Sequence, residues 1–280
     1  MASEEHFVKS IAGMDIFYRT WIPDSDPQGM ILLIHGLGEH SGRLKNIGLH
    51  FANQNWIVRS FDLIGHGQSS GLRGHSPNLD TLLNLIDHSV MDLQQRYAAL
   101  PFILYGHSMG GNLVLNYLIR VKPTVEGAII TSPWIKVFRE LPSWTMYLLR
   151  KIHLLWPTLT LSNQLDINQI SRDPLEVKAY KTDPLNHNKI SLSLGIAMSD
   201  AGKFLQKKHT SPVNILLMHG EEDRICLPLG SEIFVSNFEG DVTYKSWPNA
   251  RHELHHDPDK QNILEFASDW AHDQLNNRIP

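Results

Sequence analysis

The stretch GHSMG, at positions 106–110, holds a serine between two glycines in the spacing G-x-S-x-G. An apolar run, FILYGHS (102–108), precedes it, and a helical pattern of Leu113, Val114, Tyr117 and Leu118 follows. A serine on a tight strand-to-helix turn projects its hydroxyl above a sheet, and only residues without a Cβ fit beside it. Such a turn also leaves the Met109 N–H free at a helix N-terminus, where it can stabilise an oxyanion. The bland alternative is a glycine-rich turn with a solvated serine; the strand before and the helix after argue against it. A serine nucleophile needs a base, and the base an orienting acid. In this setting they follow in the order Ser, Asp, His. HGEED (219–223) places Glu221, Glu222 and Asp223 just after an apolar run. Asp223 is assigned as the acid, and the two glutamates as solvated loop charges. The base must then lie past the next strand, VTYKSWP (242–248), in NARHELHHDPD (249–259).

That last stretch carries a rival chemistry. His252, Glu253, Leu254, His255 and His256 spell H-E-x-x-H, which on a helix binds zinc and uses the glutamate as a base. Pro248 and Pro258 bracket the pattern with nine residues between them. Asp257, before Pro258, is pushed out of the helical region. A loop is expected, and no third protein ligand is visible downstream. His252 is therefore the base, Glu253 a bystander, and no metal or cofactor is called for.

Elements must position these groups. MILLIHG (30–36), FILYGHS (102–108), GAIITSP (127–133) and NILLMHG (214–220) are short apolar runs that end abruptly, as buried strands of a parallel sheet do. WIVRSFD (56–62) is a fifth, and VTYKSWP alternates like a strand nearer an edge. Leu79, Leu82, Leu83, Ile86, Val90, Leu93 and Tyr97 predict an amphipathic helix over 78–98. NILEFASDWAHDQL (262–275) predicts a C-terminal helix, and residues 6–23 an antiparallel hairpin on one edge. The alternation predicts an α/β fold with helices on both faces. Between Pro133 and Pro212 lie roughly 80 residues, where a crossover needs roughly 10–20. The surplus predicts a core of 1–133 and 212–280 with a subdomain, 134–211, inserted in it. Its apolar stretch 141–161 is either buried core or a surface that touches lipid.

The 280 residues are 42% hydrophobic and 19% charged, as in soluble globular proteins. The formal charge is −4 with no long basic run, which gives no electrostatic case for nucleic acid. One cysteine, Cys226, excludes an internal disulfide framework and a multi-cysteine metal site. The polar start MASEEHFVKS and the lack of an 18-residue apolar run make a cytoplasmic protein the default. Oligomeric state is not readable.

HGLGEHSGR (35–43), FDLIGHGQSSG (61–71), GHSMGG (106–111), VKAYKTDPL (177–185), HGEED (219–223) and RHELHHD (251–257) run in order through almost the whole chain. Together they resemble the monoacylglycerol lipases and related lysophospholipases of the α/β-hydrolase fold. The resemblance implies an oxyanion hole from the backbone N–H groups of Leu37 and Met109. It implies Glu39, Arg43, Tyr180 and His255 as groups that hold the glycerol end of the substrate. It implies that the insertion is a cap, helical and often membrane-facing, and that the partner is a monoacylglycerol or related lipid ester. Inside the cap no motif aligns. Glu39 and Arg43, four apart, would also suit a helix-terminal ion pair. Lysophospholipase and short-chain carboxylesterase activity fit the same triad. A non-catalytic binder would predict a broken triad, and an epoxide or haloalkane hydrolase an acid in place of Ser108.

Overall fold

The computed structural model describes residues 2–9 and 13–276. They build an eight-stranded sheet from β1 (Ala2–Lys9), β2 (Asp15–Ile22), β3 (Gly29–Ile34), β4 (Trp56–Phe61), β5 (Phe102–His107), β6 (Gly127–Thr131), β7 (Asn214–Gly220) and β8 (Val242–Trp247). The order across it is β1-β2-β4-β3-β5-β6-β7-β8. β1 and β2 pair antiparallel, and β2 is antiparallel to β4; every other pairing is parallel. The expected hairpin is therefore present at one edge, its turn residues 10–12 lying outside the described residues, and the alternating strand β8 closes the other edge.

Successive side chains of a strand point to opposite faces. In the centre of this sheet both faces are covered. Met30, Leu32, Ile34 and Leu104 face a core shared with α2 (Leu79–Arg96) and α3 (Met109–Arg120). Ile31, Leu33, Ile103 and Tyr105 face a second core built on α1 (Lys45–Ala52) and α8 (Lys260–Asn276). This is why those strands read as unbroken apolar runs. α2 starts where the Asn78 side chain accepts the Thr81 N–H at 2.8 Å, a side-chain N-cap. The architecture is that of an α/β-hydrolase.

Between β6 and β7 the chain forms α4 (Ser143–Leu155), α5 (Pro174–Thr182) and α6 (Leu192–Leu205), and pairs Thr160–Ser162 with Lys189–Ser191. α6 sends Leu194, Met198 and Leu205 into the same core as α3. α4 buries no residue: Trp144 is 71% exposed and Leu155 88%. Of the two expectations for 141–161, α4 fulfils the exposed one. The helix α7 (Pro228–Asn237) joins β7 to β8.

β5 runs into α3 with one residue between them, Ser108. The turn is tight enough that a Cβ on Gly110 would sit 2.1 Å from the Ile34 carbonyl oxygen. Backbone cannot yield there as a side chain can. In contrast, Gly195, inside α6, has no atom nearer than 3.5 Å to such a Cβ. Gly110→Ala is expected to lower the thermal midpoint sharply or abolish soluble protein. Gly195→Ala should stabilise by up to about 1 kcal/mol, by removing a helix-interior glycine. Equal midpoints for the two variants would contradict this account of the turn.

Candidate active site

Ser108 has φ 53° and ψ −115°, a backbone conformation unusual for any residue but glycine. Three backbone hydrogen bonds hold it: its N–H donates to Thr131 O at 2.9 Å, and its carbonyl accepts from Trp134 N and Asn112 N, each at 3.0 Å. The hydroxyl Oγ lies 2.9 Å from His252 Nε2. His252 Nδ1 lies 2.7 Å from Asp223 Oδ2. Because a carboxylate only accepts, the proton of His252 sits on Nδ1, and Nε2 presents its lone pair to the serine hydroxyl.

Asp223 is buried, so its charge must be met locally. Oδ1 accepts the N–H groups of Ile225 at 2.8 Å and Cys226 at 3.0 Å. Oδ2 also lies 3.1 Å from His219 Nε2. That nitrogen is flanked by two acceptors, Asp223 and the Cys226 carbonyl, so it carries a proton; Nδ1 then accepts from Ser231 Oγ at 2.7 Å. Burial opposes ionisation of Asp223, yet the charge of His252 and the hydrogen bonds from His219 and His252 hold its pKa far below the usual carboxylate range. For His252, burial opposes protonation, but the charge and hydrogen bond of Asp223 outweigh it and raise the pKa. Glu221 and Glu222, the other acids of HGEED, are exposed.

The loop after β3 lies against the serine: a Cβ on Gly36 would come within 3.1 Å of Ser108 Cβ. The Gly36 carbonyl accepts from His35 Nδ1 at 2.7 Å, while His35 Nε2 accepts the Leu63 N–H at 2.9 Å. These two bonds fix a neutral imidazole, whose pKa burial lowers to about 3. In a trans peptide the Leu37 N–H points opposite to the Gly36 carbonyl. Neither that N–H nor the one of Met109 has a hydrogen-bond partner among the described residues. Two free donors and an activated hydroxyl form an arrangement able to perform acyl transfer.

A cavity of about 760 Å³ opens over Ser108 and His252. Glu39 and Tyr180 reach its wall; Arg43 and His255 do not. Arg43 lies behind them, its guanidinium 4.8 Å over the Tyr180 ring and its Nε 3.7 Å from Glu39 Oε2. Glu39 Oε1 accepts the Gly36 N–H at 2.6 Å, and burial with the nearby charge of Glu253 pushes its pKa up to about 7. His255 is buried between His107 and His256, at ring distances of 4.9 and 4.3 Å, with neither nitrogen paired.

The H-E-x-x-H stretch forms no α-helix; Leu254–His256 is a single 3₁₀ turn. Glu253, His255 and His256 do bring ligand-type atoms within 4.8 Å of one another. The Arg43 guanidinium, however, already contacts Glu253 Oε2 at 2.5 Å and His256 Nδ1 at 2.8 Å. A metal cation placed there would face that fixed positive charge. Glu253 is thus no bystander: it lines the cavity beside His252 and pairs with Arg43. Sequence reasoning missed it, and also missed His219 and His35. Each stands next to an assigned motif residue, but nothing in its type announces a partner.

A family model described as serine aminopeptidase, S33 matches residues 25–259. A monoacylglycerol lipase of Mycolicibacterium smegmatis is 30% identical over 269 residues, covering 95% of this chain and 96% of that protein. An uncharacterized abhydrolase domain-containing protein of Dictyostelium discoideum is 36% identical over 265 residues; the match spans 92% of this chain and 28% of that relative's length. Among solved structures, the monoacylglycerol lipase of Paleococcus ferrophilus superposes with a TM-score of 0.83 at 30% identity, covering 94% of this chain and 99% of that one.

The buried imidazoles around the site set a pH dependence of stability. Burial lowers the pKa of His35 to about 3 and of His187 to about 4, and holds His66, His107 and His255 well below 6.5. Below pH 6.5 the unfolded chain protonates these five and the folded chain does not, so their contribution is lost as pH falls from 6.5 toward 3. Glu39, raised in the fold, opposes this by up to one proton. Unfolding at pH 5 is expected to take up on the order of four protons, with the thermal midpoint falling steadily below pH 6.5. A midpoint that stays flat from pH 7 to 4.5 would refute this.

Proposed function

This chain belongs to the serine aminopeptidase, S33 family, and on that premise we propose that it hydrolyses the ester bond of monoacylglycerols to fatty acid and glycerol through an acyl-enzyme. The observation that carries the reading is the unbroken hydrogen-bonded run from Ser108 through His252 to Asp223 at the base of the cavity. Ser108 Oγ attacks the acyl carbonyl as His252 Nε2 takes its proton. Asp223 steadies the imidazolium that forms. The Leu37 and Met109 N–H groups stabilise the tetrahedral oxyanion. Collapse expels glycerol, which receives the proton from His252. Water, deprotonated by the same nitrogen, then attacks the acyl-enzyme, and collapse releases the fatty acid as His252 Nε2 returns the proton to Ser108 Oγ. Each step uses only groups of this chain.

The choice of substrate draws on the names of the relatives and on the cavity itself. Leu141, Met146, Leu149 and Ile196 offer apolar surface to an acyl chain, while Glu39, Tyr180 and Glu253 offer polar atoms to the alcohol. In this reading Arg43 and His255 act from behind the wall. Residues 134–211 form the cap over a core of 1–133 and 212–280. No helix among the described residues is long and apolar enough to cross a membrane. We place the protein in the cytoplasm, touching lipid surfaces reversibly through α4, whose Trp144, Tyr147, Leu154 and Leu155 lie open to solvent.

Ser108→Ala should abolish hydrolysis of oleoylglycerol and labelling by a fluorophosphonate, and chelators should change neither. Asp223→Asn should cost on the order of 10⁴ in kcat, whereas Glu222→Gln should be nearly silent. Retained activity in the alanine variant would end the acyl-enzyme reading. Cosedimentation with phosphatidylcholine vesicles should be weakened by Trp144→Ser combined with Leu155→Ser, with turnover of a short soluble ester preserved. Binding that is absent in the parent protein would place the cap surface away from lipid.

A further inference from the structure

We propose that Glu253 fixes the charge of the alcohol-end subsite, so that esters of neutral polyols are accepted and esters whose alcohol carries a phosphate are rejected. The inference rests on the ester-hydrolase reading above and narrows its substrate class. Glu253 directly follows the base, so the turn that places His252 also places this carboxylate at the cavity wall. Its backbone is anchored: the N–H donates to the Ile170 carbonyl at 2.7 Å. Its side chain is 3% exposed, and Oε2 takes the Arg43 Nη2 at 2.5 Å, with His256 Nδ1 2.7 Å away.

Arg43 is the cation paired with this carboxylate, and its charge is already answered. The guanidinium is enclosed by Glu253, by Glu39 at 3.7 Å and by the face of Tyr180. Both carboxyl groups stand at the wall and the cation behind it; Glu253, held ionised by Arg43, carries the negative charge, while Glu39, with its pKa pushed up to about 7, is only partly ionised at neutral pH. Glu39 Oε2 is buried with no hydrogen-bond partner, the kind of acceptor a substrate hydroxyl satisfies. A phosphate there would lose its hydration and face the Glu253 carboxylate, while the Arg43 Nη2 is already engaged by Glu253 and His256. The remaining cations of the cavity wall, Lys136, Arg139, Lys203 and Arg224, come from other segments. Arg139, Lys203 and Arg224 are exposed, and Lys136 lies 3.1 Å from Glu140.

In Glu253→Gln the shape is kept but the charge is lost, so Glu39 is the one carboxylate left beside Arg43. The guanidinium, still contacting His256 Nδ1 at 2.8 Å, becomes a net positive charge behind the wall that favours a phosphate. The test compares kcat/KM for 1-oleoylglycerol and 1-oleoyl lysophosphatidate in mixed micelles of one neutral detergent, so that acyl chain and surface charge are constant. The unaltered enzyme is expected to favour oleoylglycerol on the order of 100-fold. Glu253→Gln should narrow that ratio by roughly 10-fold or more, through a rise on lysophosphatidate, and Glu253→Asp, which keeps the charge, should preserve it. Similar turnover of both lipids by the unaltered enzyme overturns the inference alone, even if no variant folds. So does a Glu253→Gln ratio equal to the parent's. An unaltered enzyme inert on oleoylglycerol overturns the function proposed above and this inference with it.

Discussion

A carboxylate removed from water stays ionised only if its lone pairs are met by donors. Asp223 meets this demand with two backbone N–H groups on one oxygen and two imidazoles on the other. Much of the surrounding structure follows from supplying those donors. The loop after β7 must curl back so that Ile225 and Cys226 present their amides. His219, the penultimate residue of β7, must lie beside Asp223, and α7 must bring Ser231 to its other nitrogen. The loop after β8 must then deliver His252 to the one position still open. The Coulombic pull of this anion raises the basicity of His252 and so links the sheet edge at β7 and β8 to the serine three strands inward from the β8 edge.

The nucleophile side depends on close approach of backbone to backbone. Ser108 is held at its positive φ because β6 supplies a partner for its N–H, and α3 and the chain after β6 supply partners for its carbonyl. The loop after β3 is oriented by side chains instead. His35 holds the Gly36 carbonyl from one side and Glu39 holds the Gly36 N–H from the other. Glu39 therefore belongs at once to the loop that aims the Leu37 N–H and to the cavity wall. The charged cluster of Glu39, Arg43 and Glu253 is coupled through Gly36 to the peptide that carries the Leu37 N–H.

The strands and the amphipathic helix α2 were readable because period-two and period-3.6 patterns record which faces are buried, and here both faces of the central strands are. The β5–α3 turn was readable because two glycines mark a place where a Cβ cannot fit. Asp223 and His252 could be assigned from chain order alone, and the bonds among Ser108, His252 and Asp223 are consistent with that order. What the sequence did not disclose were pairings between distant segments. Arg43 and Glu253 are 210 positions apart, and only the folded chain brings them to 2.5 Å. Helix geometry excludes a zinc role for Glu253, but it is silent on the ion pair that only the fold creates. The stretch 141–161 could not be placed inside or outside from its apolar content, since buried and lipid-facing surfaces have the same composition. α6 shows the same limit from the other side, lying within the interval that interrupts the alternation yet packing into the central core.

α4 buries none of its residues, yet Thr145, Met146 and Leu149 line the cavity. These three cavity residues add little to the core, whereas Ile135, Ile170 and Leu192 line the same cavity and are buried. Drift in α4 carries little folding penalty, because its side chains give up little contact with the interior. A lineage can explore new acyl lengths there by single substitutions while the apparatus around Ser108 is left intact.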